Sequence, residues 1–148
     1  MFQRLFSNPS LCHYRLEALD DFPQDLRVLD LAAFQNLALR GGFLIAEVRL
    51  TSQFLLDPLG RPAAAQTIIR GSRFHIFLRS DLNEAELSIS LYHEVLEAAT
   101  VAGDQPPESV LEFNERDFER AARSAHTRLG AASAEHLNQM LAEFGFQD

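Results

Sequence analysis

The first half of the chain shows the alternating pattern of apolar and polar residues that is typical of β-strands. Over Phe43–Thr51 successive residues alternate between two faces, and one of these faces is apolar, which predicts a strand. Two shorter strands, 66–70 and 73–79, flank the dipeptide Gly71-Ser72, and a two-residue connection of this kind favours a β-hairpin. The pattern therefore predicts a small, mostly antiparallel sheet.

Helical periodicity dominates the second half, and one earlier segment shares it. Asp25 is a suitable N-cap for the earlier helix, which Gly41 would end. Gly103 would end the best-defined helix, and Pro107 would open the next one. The predicted helices span about 26–40, 83–102, 107–128 and 133–144.

The order of these elements predicts an α+β fold, in which a small, mostly antiparallel sheet packs on helices. The length of 148 residues suits a single domain over 1–148. Its core is expected over about 26–128, followed by the C-terminal helix at about 133–144.

Charge is distributed unevenly between the two halves. Residues 1–79 hold nine arginines and seven acidic residues, whereas 80–148 hold four arginines and fourteen acidic residues. Binding to nucleic acid needs clustered cations, so an acidic half argues against a nucleic-acid partner. It suits a cation or a basic partner, or simply a solvated helical surface.

Cellular location follows from what the sequence lacks. Cys12 is the only cysteine, so no internal disulfide forms and a reducing compartment is expected. No apolar run approaches the roughly 18 residues of a membrane span, and the N-terminus lacks a secretory apolar core. We therefore expect a cytoplasmic protein without a membrane partner.

The residues best suited to metal binding or catalysis lie in the middle of the predicted helix 83–102. His93, Glu94 and Glu97 form the pattern H-E-x-x-E. Residues four apart project from one helix face, so His93 and Glu97 lie side by side. In the metalloprotease motif H-E-x-x-H, the two histidines bind zinc and the first glutamate is the general base. The alternative is an ordinary His–Glu surface pair, worth a few tenths of a kcal/mol.

Glu97 stands where that motif has its second histidine. A carboxylate also binds zinc, but one imidazole with two carboxylates makes a harder, more oxygen-rich site. Such a site fits a divalent metal, with zinc as the first candidate and manganese or iron as alternatives.

The surroundings of the motif extend this pattern. The strand Phe74–Leu78 precedes the helix, and Glu112 lies six residues before Phe118 on the next predicted helix. In this arrangement, over roughly residues 68–125, the chain resembles the small zincin-like metallopeptidases of the ImmA/IrrE type. The resemblance implies a zincin-like active helix followed by two further helices. It also implies Glu112 as the third metal ligand, with Glu115 and Glu119 as alternatives.

The resemblance implies a metal-dependent hydrolase that acts on a peptide or protein substrate. His93, Glu97 and Glu112 would hold the metal, and Glu94 would be the catalytic base. The 73–79 strand would hold an extended peptide by main-chain pairing. The alternative is a catalytically inactive zincin-fold module that regulates or binds another protein. A third possibility is an α+β domain in which the motif is accidental.

Three other residues have a weaker claim to a function. His75 lies within a predicted strand and is expected on its solvent or cleft face. His126 shares a helix face with Glu119, seven residues earlier, and is a minor candidate ligand. Tyr92 adjoins the motif and either packs in the core or donates a hydrogen bond to a developing oxyanion.

Overall fold

The long helix that carries the motif lies between a β-sheet and two further helices. The computed structural model describes residues 29–56 and 60–148, and the backbone of the short strand β1 (Phe2–Arg4). Cys12 and Asp25 lie outside the described residues. The described part has an α+β fold with a mostly antiparallel sheet, as predicted.

Five of the described strands form the main sheet. After β1 these are β2 (Leu37–Leu39), β3 (Phe43–Thr51), β6 (Ala65–Arg70) and β7 (Arg73–Arg79). Their order is β1-β6-β7-β3-β2, and only the β3–β7 pair is parallel. The two remaining strands, β4 (Leu55–Leu56) and β5 (Pro62–Ala63), pair with each other in a small separate sheet.

The predicted hairpin is confirmed. Arg70 pairs with Arg73 across the two-residue loop, and Gly71 has a φ of +64°, a left-handed conformation that glycine adopts readily. The apolar side chains of β7 that face the helices are completely buried: Phe74, Ile76 and Leu78.

The position of β7 contradicts the predicted peptide-binding role of residues 73–79. Its main chain pairs with β6 on one side and with β3 on the other. An extended peptide can add only to the outer edge of a sheet, where backbone groups are available for pairing. The role was wrong because the sequence did not reveal that β3 would return in parallel beside β7.

Within 29–56 and 60–148 the chain forms three α-helices, α1 (Glu84–Ala102), α2 (Glu115–Leu129) and α3 (Ala134–Glu143). The side chain of Asn83 caps α1 by accepting a hydrogen bond from the Glu86 backbone N–H, and Gly103 follows its last turn. Every residue from 87 to 99 is buried, because α1 contacts β6 and β7 on one side and α2 and α3 on another. None of the described helices combines the length and apolarity needed to cross a membrane.

The predicted helix over 26–40 is wrong where the structure describes it. Leu31–Phe34 form only a 3-10 turn, capped by the Asp30 side chain, and the chain then enters β2. Asn36 has a φ of +55°, which takes the backbone out of the right-handed helical region. Part of this apolar segment forms a strand instead of a helix because its backbone pairs with the neighbouring strand β3.

The start predicted for the helix over 107–128 is also wrong. Pro107 precedes a short 3-10 helix, Glu108–Val110, and a turn follows. The α-helix begins only after Asn114, which forms a reciprocal capping box with Asp117. Glu112 therefore lies before α2 and not on it.

Candidate metal centre

His93 is the centre of a cluster formed by α1 and α2. Its Nε2 atom lies 3.3 Å from Glu97 Oε1 and 3.5 Å from Glu115 Oε1. The three potential ligand atoms all lie within 4.8 Å of one another. The structure thus brings together one imidazole and two carboxylates that could hold a metal ion.

The local sequence explains how each side chain reaches this position. His93 and Glu97 share a face of α1 because they are four residues apart. Glu115 is the first residue of α2, and the Asn114–Asp117 capping box fixes where that helix begins. Two ligands therefore depend on helix geometry, and the third depends on a cap.

Exposure increases across the cluster. The His93 side chain is 1% exposed and that of Glu97 is 10% exposed, whereas that of Glu115 is 50% exposed. The cluster is therefore closed on the α1 side and open to solvent on the Glu115 side. Three protein ligands with an open side are typical of catalytic rather than structural zinc sites.

The other ring nitrogen of His93 meets a third acidic residue. Nδ1 lies 2.6 Å from Glu119 Oε1, a short hydrogen bond in which an ionised carboxylate can only accept. The proton is therefore assigned to Nδ1. In the neutral ring, Nε2 then presents a lone pair toward the Glu97 and Glu115 oxygens.

That arrangement requires a positive charge at Nε2, because a lone pair and two carboxylate oxygens repel one another. The charge is supplied either by a second ring proton or by a metal ion. Metal-bound histidines generally donate their other N–H to a carboxylate or a carbonyl, as His93 does to Glu119.

The distances suit a metal. With zinc–ligand bonds of about 2.0–2.2 Å and tetrahedral angles, neighbouring ligand atoms are separated by about 3.4 Å. The separations of 3.3 and 3.5 Å from His93 Nε2 lie on either side of this value. Two of the three ligand separations therefore match a tetrahedral ion, and the third, between the Glu97 and Glu115 carboxylates, is at most 4.8 Å.

The Glu94 side chain points away from this cluster, toward the sheet. Its Oε1 accepts a hydrogen bond of 2.6 Å from the hydroxyl of Thr67 on β6, and both residues are completely buried. Glu94 lies about 100° around the helix from its neighbour His93. It therefore contacts the sheet, whereas His93 contacts α2.

The three predicted candidates for the third ligand occupy different places. Glu112 is exposed in the turn before α2 and does not belong to the cluster. Glu115 takes the place predicted for it, while Glu119 lies behind the ring on Nδ1. The role of Glu119 as partner of His93 was missed. Its i,i+4 spacing from Glu115, on the same helix face, was the available signal.

The other residues singled out from sequence make separate contacts. His126 Nδ1 lies 2.9 Å from the Ser88 hydroxyl, and the Tyr92 hydroxyl donates to the Gly130 carbonyl at 2.8 Å. His75 pairs with Glu47 across β7 and β3 at 2.8 Å, and this hydrogen bond lowers the pKa of the Glu47 carboxyl below its ordinary value. Among the histidines that the structure describes, only His93 belongs to a cluster with metal-ligand spacing.

Comparison of the chain with models of protein families, with curated proteins and with solved structures finds no match in any of the three. The zincin-like resemblance therefore stays a prediction based on the motif.

Proposed function

We propose that the protein binds a divalent metal ion, in the first place zinc, and acts as a metal-dependent hydrolase on peptide bonds. One observation carries the proposal. The Nε2 atom of buried His93 faces the carboxylates of Glu97 and Glu115, and its Nδ1 atom is engaged by Glu119. This is the arrangement by which proteins orient an imidazole toward a metal.

The proposed identity of the metal rests on the number and spacing of the ligands. Three protein ligands with one side open favour zinc, and both carboxylates lie at about the tetrahedral separation from His93 Nε2. Two oxygen ligands against one nitrogen also admit manganese or iron, which take additional water ligands. Direct competition between these ions is therefore part of the test.

The proposed chemistry divides between the ion and the protein. A bound divalent ion polarises a carbonyl group and acidifies a water molecule. In this proposal His93, Glu97 and Glu115 hold the ion. Glu94 is the candidate base; its carboxylate accepts from the hydroxyl of Thr67 on the sheet side of α1, so it must turn toward the ion to accept a proton. The exposed side of Glu115 is the route by which substrate approaches.

A second candidate function is a metal-binding module without turnover, which regulates or binds another protein. It is favoured by the complete burial of Glu94 against β6 and by the interior position of β7. Both features remove parts that a zincin-like peptidase uses, namely an accessible base and an edge strand for the substrate.

Metal binding is tested with a matched pair of variants. The metal content of the purified protein and the dissociation constants for Zn²⁺ and Mn²⁺ are measured for Glu115→Gln and for the control Glu112→Gln. Each variant removes one negative charge, and the two positions are only three residues apart in the sequence. We expect Glu115→Gln to lose more than the 10–100-fold that an outer hydrogen-bond partner contributes, and Glu112→Gln to bind as the wild type does. Equal loss in both variants contradicts the site.

Hydrolysis is tested separately on protein loaded with the preferred ion. A peptide library is incubated with wild type and with Glu94→Gln. The proposal expects cleavage by wild type and a 10²–10⁴-fold slower rate for the variant, with metal affinity unchanged. Metal binding without cleavage by either protein supports the non-catalytic module instead.

A further inference from the structure

Arg123 connects the back of the metal site to the start of α1. Its Nε donates to Glu119 Oε2 at 2.8 Å, one helical turn away on α2. Its two terminal nitrogens lie 3.3 and 3.4 Å from the two carboxylate oxygens of Glu86 on α1. One guanidinium therefore spans both helices that supply the ligands.

Both oxygens of Glu119 have assigned contacts as a result. Oε1 accepts from His93 Nδ1, and Oε2 accepts from Arg123 Nε. The Glu119 side chain is 22% exposed and that of Arg123 is 45% exposed, so their contact is partly open to water. With both oxygens engaged, the carboxylate is directed at the side of the imidazole opposite Nε2.

We propose that Glu119 and Arg123 act together as positioning residues for His93. Arg123 fixes the Glu119 carboxylate on Nδ1, and this hydrogen bond fixes both the ring tautomer and the direction of Nε2. The same contact keeps Glu119 from becoming a metal ligand itself. The inference deepens the proposed function and rests on it for its effect on metal affinity, while its effect on the ring is independent of any metal.

Two consequences distinguish this role from a general contribution to folding. Without Glu119, the proton of the neutral ring is no longer restricted to Nδ1, and outer partners of this kind change metal affinity by about 10–100-fold. Without Arg123, the Oε2 atom of Glu119 loses its hydrogen bond, and the carboxylate gains access to the ion. The coordination number of the ion then rises, and the added ligand is an oxygen.

The chain offers a matched control for Arg123. Arg128 lies on the same helix and also forms a two-pronged ion pair with another helix, through contacts of 3.0 and 3.4 Å with Glu143 on α3. Arg128→Gln therefore removes a comparable interhelical pair that does not contact the cluster.

The first test measures the ring of His93 in the metal-free protein. Long-range ¹H–¹⁵N NMR correlations identify the protonated nitrogen, with the signal assigned from the spectrum of His93→Gln. The spectra are compared at a pH high enough for the ring to carry a single proton. We expect the Nδ1–H form in wild type and in Arg128→Gln, and a mixture of tautomers in Glu119→Ala. A neutral ring protonated at Nε2 in wild type overturns the proposal, and so does an unchanged Nδ1–H form in Glu119→Ala.

The second test uses Zn²⁺ affinity and the visible spectrum of the Co²⁺-loaded protein, whose intensity falls as coordination rises above four. Glu119→Ala is expected to bind Zn²⁺ about 10–100-fold more weakly. Glu119→Gln, which keeps an acceptor oxygen, is expected to recover part of this loss. Arg123→Gln is expected to show a weaker Co²⁺ spectrum, whereas Arg128→Gln keeps that of wild type.

The outcomes separate this inference from the proposed function. If wild type binds neither Zn²⁺ nor Co²⁺, the proposed function fails, and the tautomer measurement alone then decides the role of Glu119. If metal binds and Arg123→Gln matches Arg128→Gln in both affinity and spectrum, the role of Arg123 is overturned while the metal site stands.

Discussion

His93 and Glu119 form a hydrogen bond of 2.6 Å between a ring that is 1% exposed and a carboxylate on the neighbouring helix. Burying an imidazole among carboxylates is unfavourable unless its polar atoms are satisfied and the local charge is balanced. This bond satisfies Nδ1 and directs Nε2 toward Glu97 and Glu115. A cation at Nε2 then balances the charge, and the first prediction concerns which cation this is.

A metal ion at Nε2 stabilises the folded protein, because a ligand that binds only the folded state raises the free energy of unfolding. At 100 times its dissociation constant, Zn²⁺ adds about 2.7 kcal/mol. For a chain of 148 residues this corresponds to a rise in Tm of about 5–10 °C. Thermal unfolding with and without Zn²⁺ measures the rise, and EDTA is expected to reverse it.

The controls for this shift are two single-charge variants. Glu97→Gln removes a proposed ligand and is expected to abolish the shift. Glu143→Gln removes a charge on α3 outside the cluster and is expected to preserve it. A second ring proton on His93 in place of a metal predicts no rise in Tm for any of the three proteins.

The buried pair of Thr67 and Glu94 gives a second prediction. In Thr67→Val the shape of the side chain is kept, but the donor to the Glu94 carboxylate is lost within the core. Leaving a buried acceptor short of one hydrogen bond costs about 1–3 kcal/mol. Urea unfolding is expected to show this loss of stability.

Thr100→Val is the matched control for Thr67→Val. The Thr100 hydroxyl donates to the Leu96 carbonyl within the same helix and is only half-buried, so its removal is expected to cost less. If the two valine variants lose equal free energy of unfolding, the hydrogen bond to Glu94 contributes no more to stability than the one within the helix.

Local signals in the sequence were sufficient for the elements that frame the site. The Gly71-Ser72 loop determined the β6–β7 hairpin, and Gly103 marked the end of α1. The proximity of His93 to Glu97 followed from helix spacing alone. In each case the residues that determine the structure lie close to one another in the sequence.

Predictions failed where a distant partner or an unrecognised cap decided the outcome. Residues 31–39 became a turn and a strand because β3 was available for pairing. Glu112 was the third ligand implied by the zincin-like resemblance, on a helix expected to begin at Pro107, whereas the helix begins after its cap Asn114. The cluster instead contains the alternative ligand Glu115, three residues later.

Tyr92 gives a prediction for alkaline pH. It is completely buried, and this burial raises the pKa of its hydroxyl from 10.0 to about 12, against an opposing effect of Arg128. Because the folded state disfavours the ionised form, this stability is fully present below pH 10 and is lost as the pH rises toward 12. The difference corresponds to roughly 2–3 kcal/mol.

Absorbance of the tyrosinate ion measures this directly. The chain has two tyrosines, so the variant Tyr14→Phe leaves Tyr92 as the single chromophore. We expect a titration midpoint near 12 in the folded protein and near 10 in urea. Equal midpoints in the two states contradict the effect of burial.

The N-cap of α2 links helix stability to the metal site and gives the last prediction. Asn114→Ala removes the hydrogen bond to the Asp117 backbone N–H and costs about 1 kcal/mol. It also loosens the first turn, where Glu115 is the first residue. Weaker Zn²⁺ binding is therefore expected together with the loss of stability.

Ser133→Ala separates these two effects. Ser133 caps α3 in the same way, through a hydrogen bond from the His136 backbone N–H, but it contributes nothing to the cluster. Both alanine variants are expected to lose about 1 kcal/mol in urea unfolding, and only Asn114→Ala is expected to weaken Zn²⁺ binding in titration calorimetry. Equal Zn²⁺ affinities in the two variants would mean that Glu115 is not held in place by the cap, or that it is not a ligand.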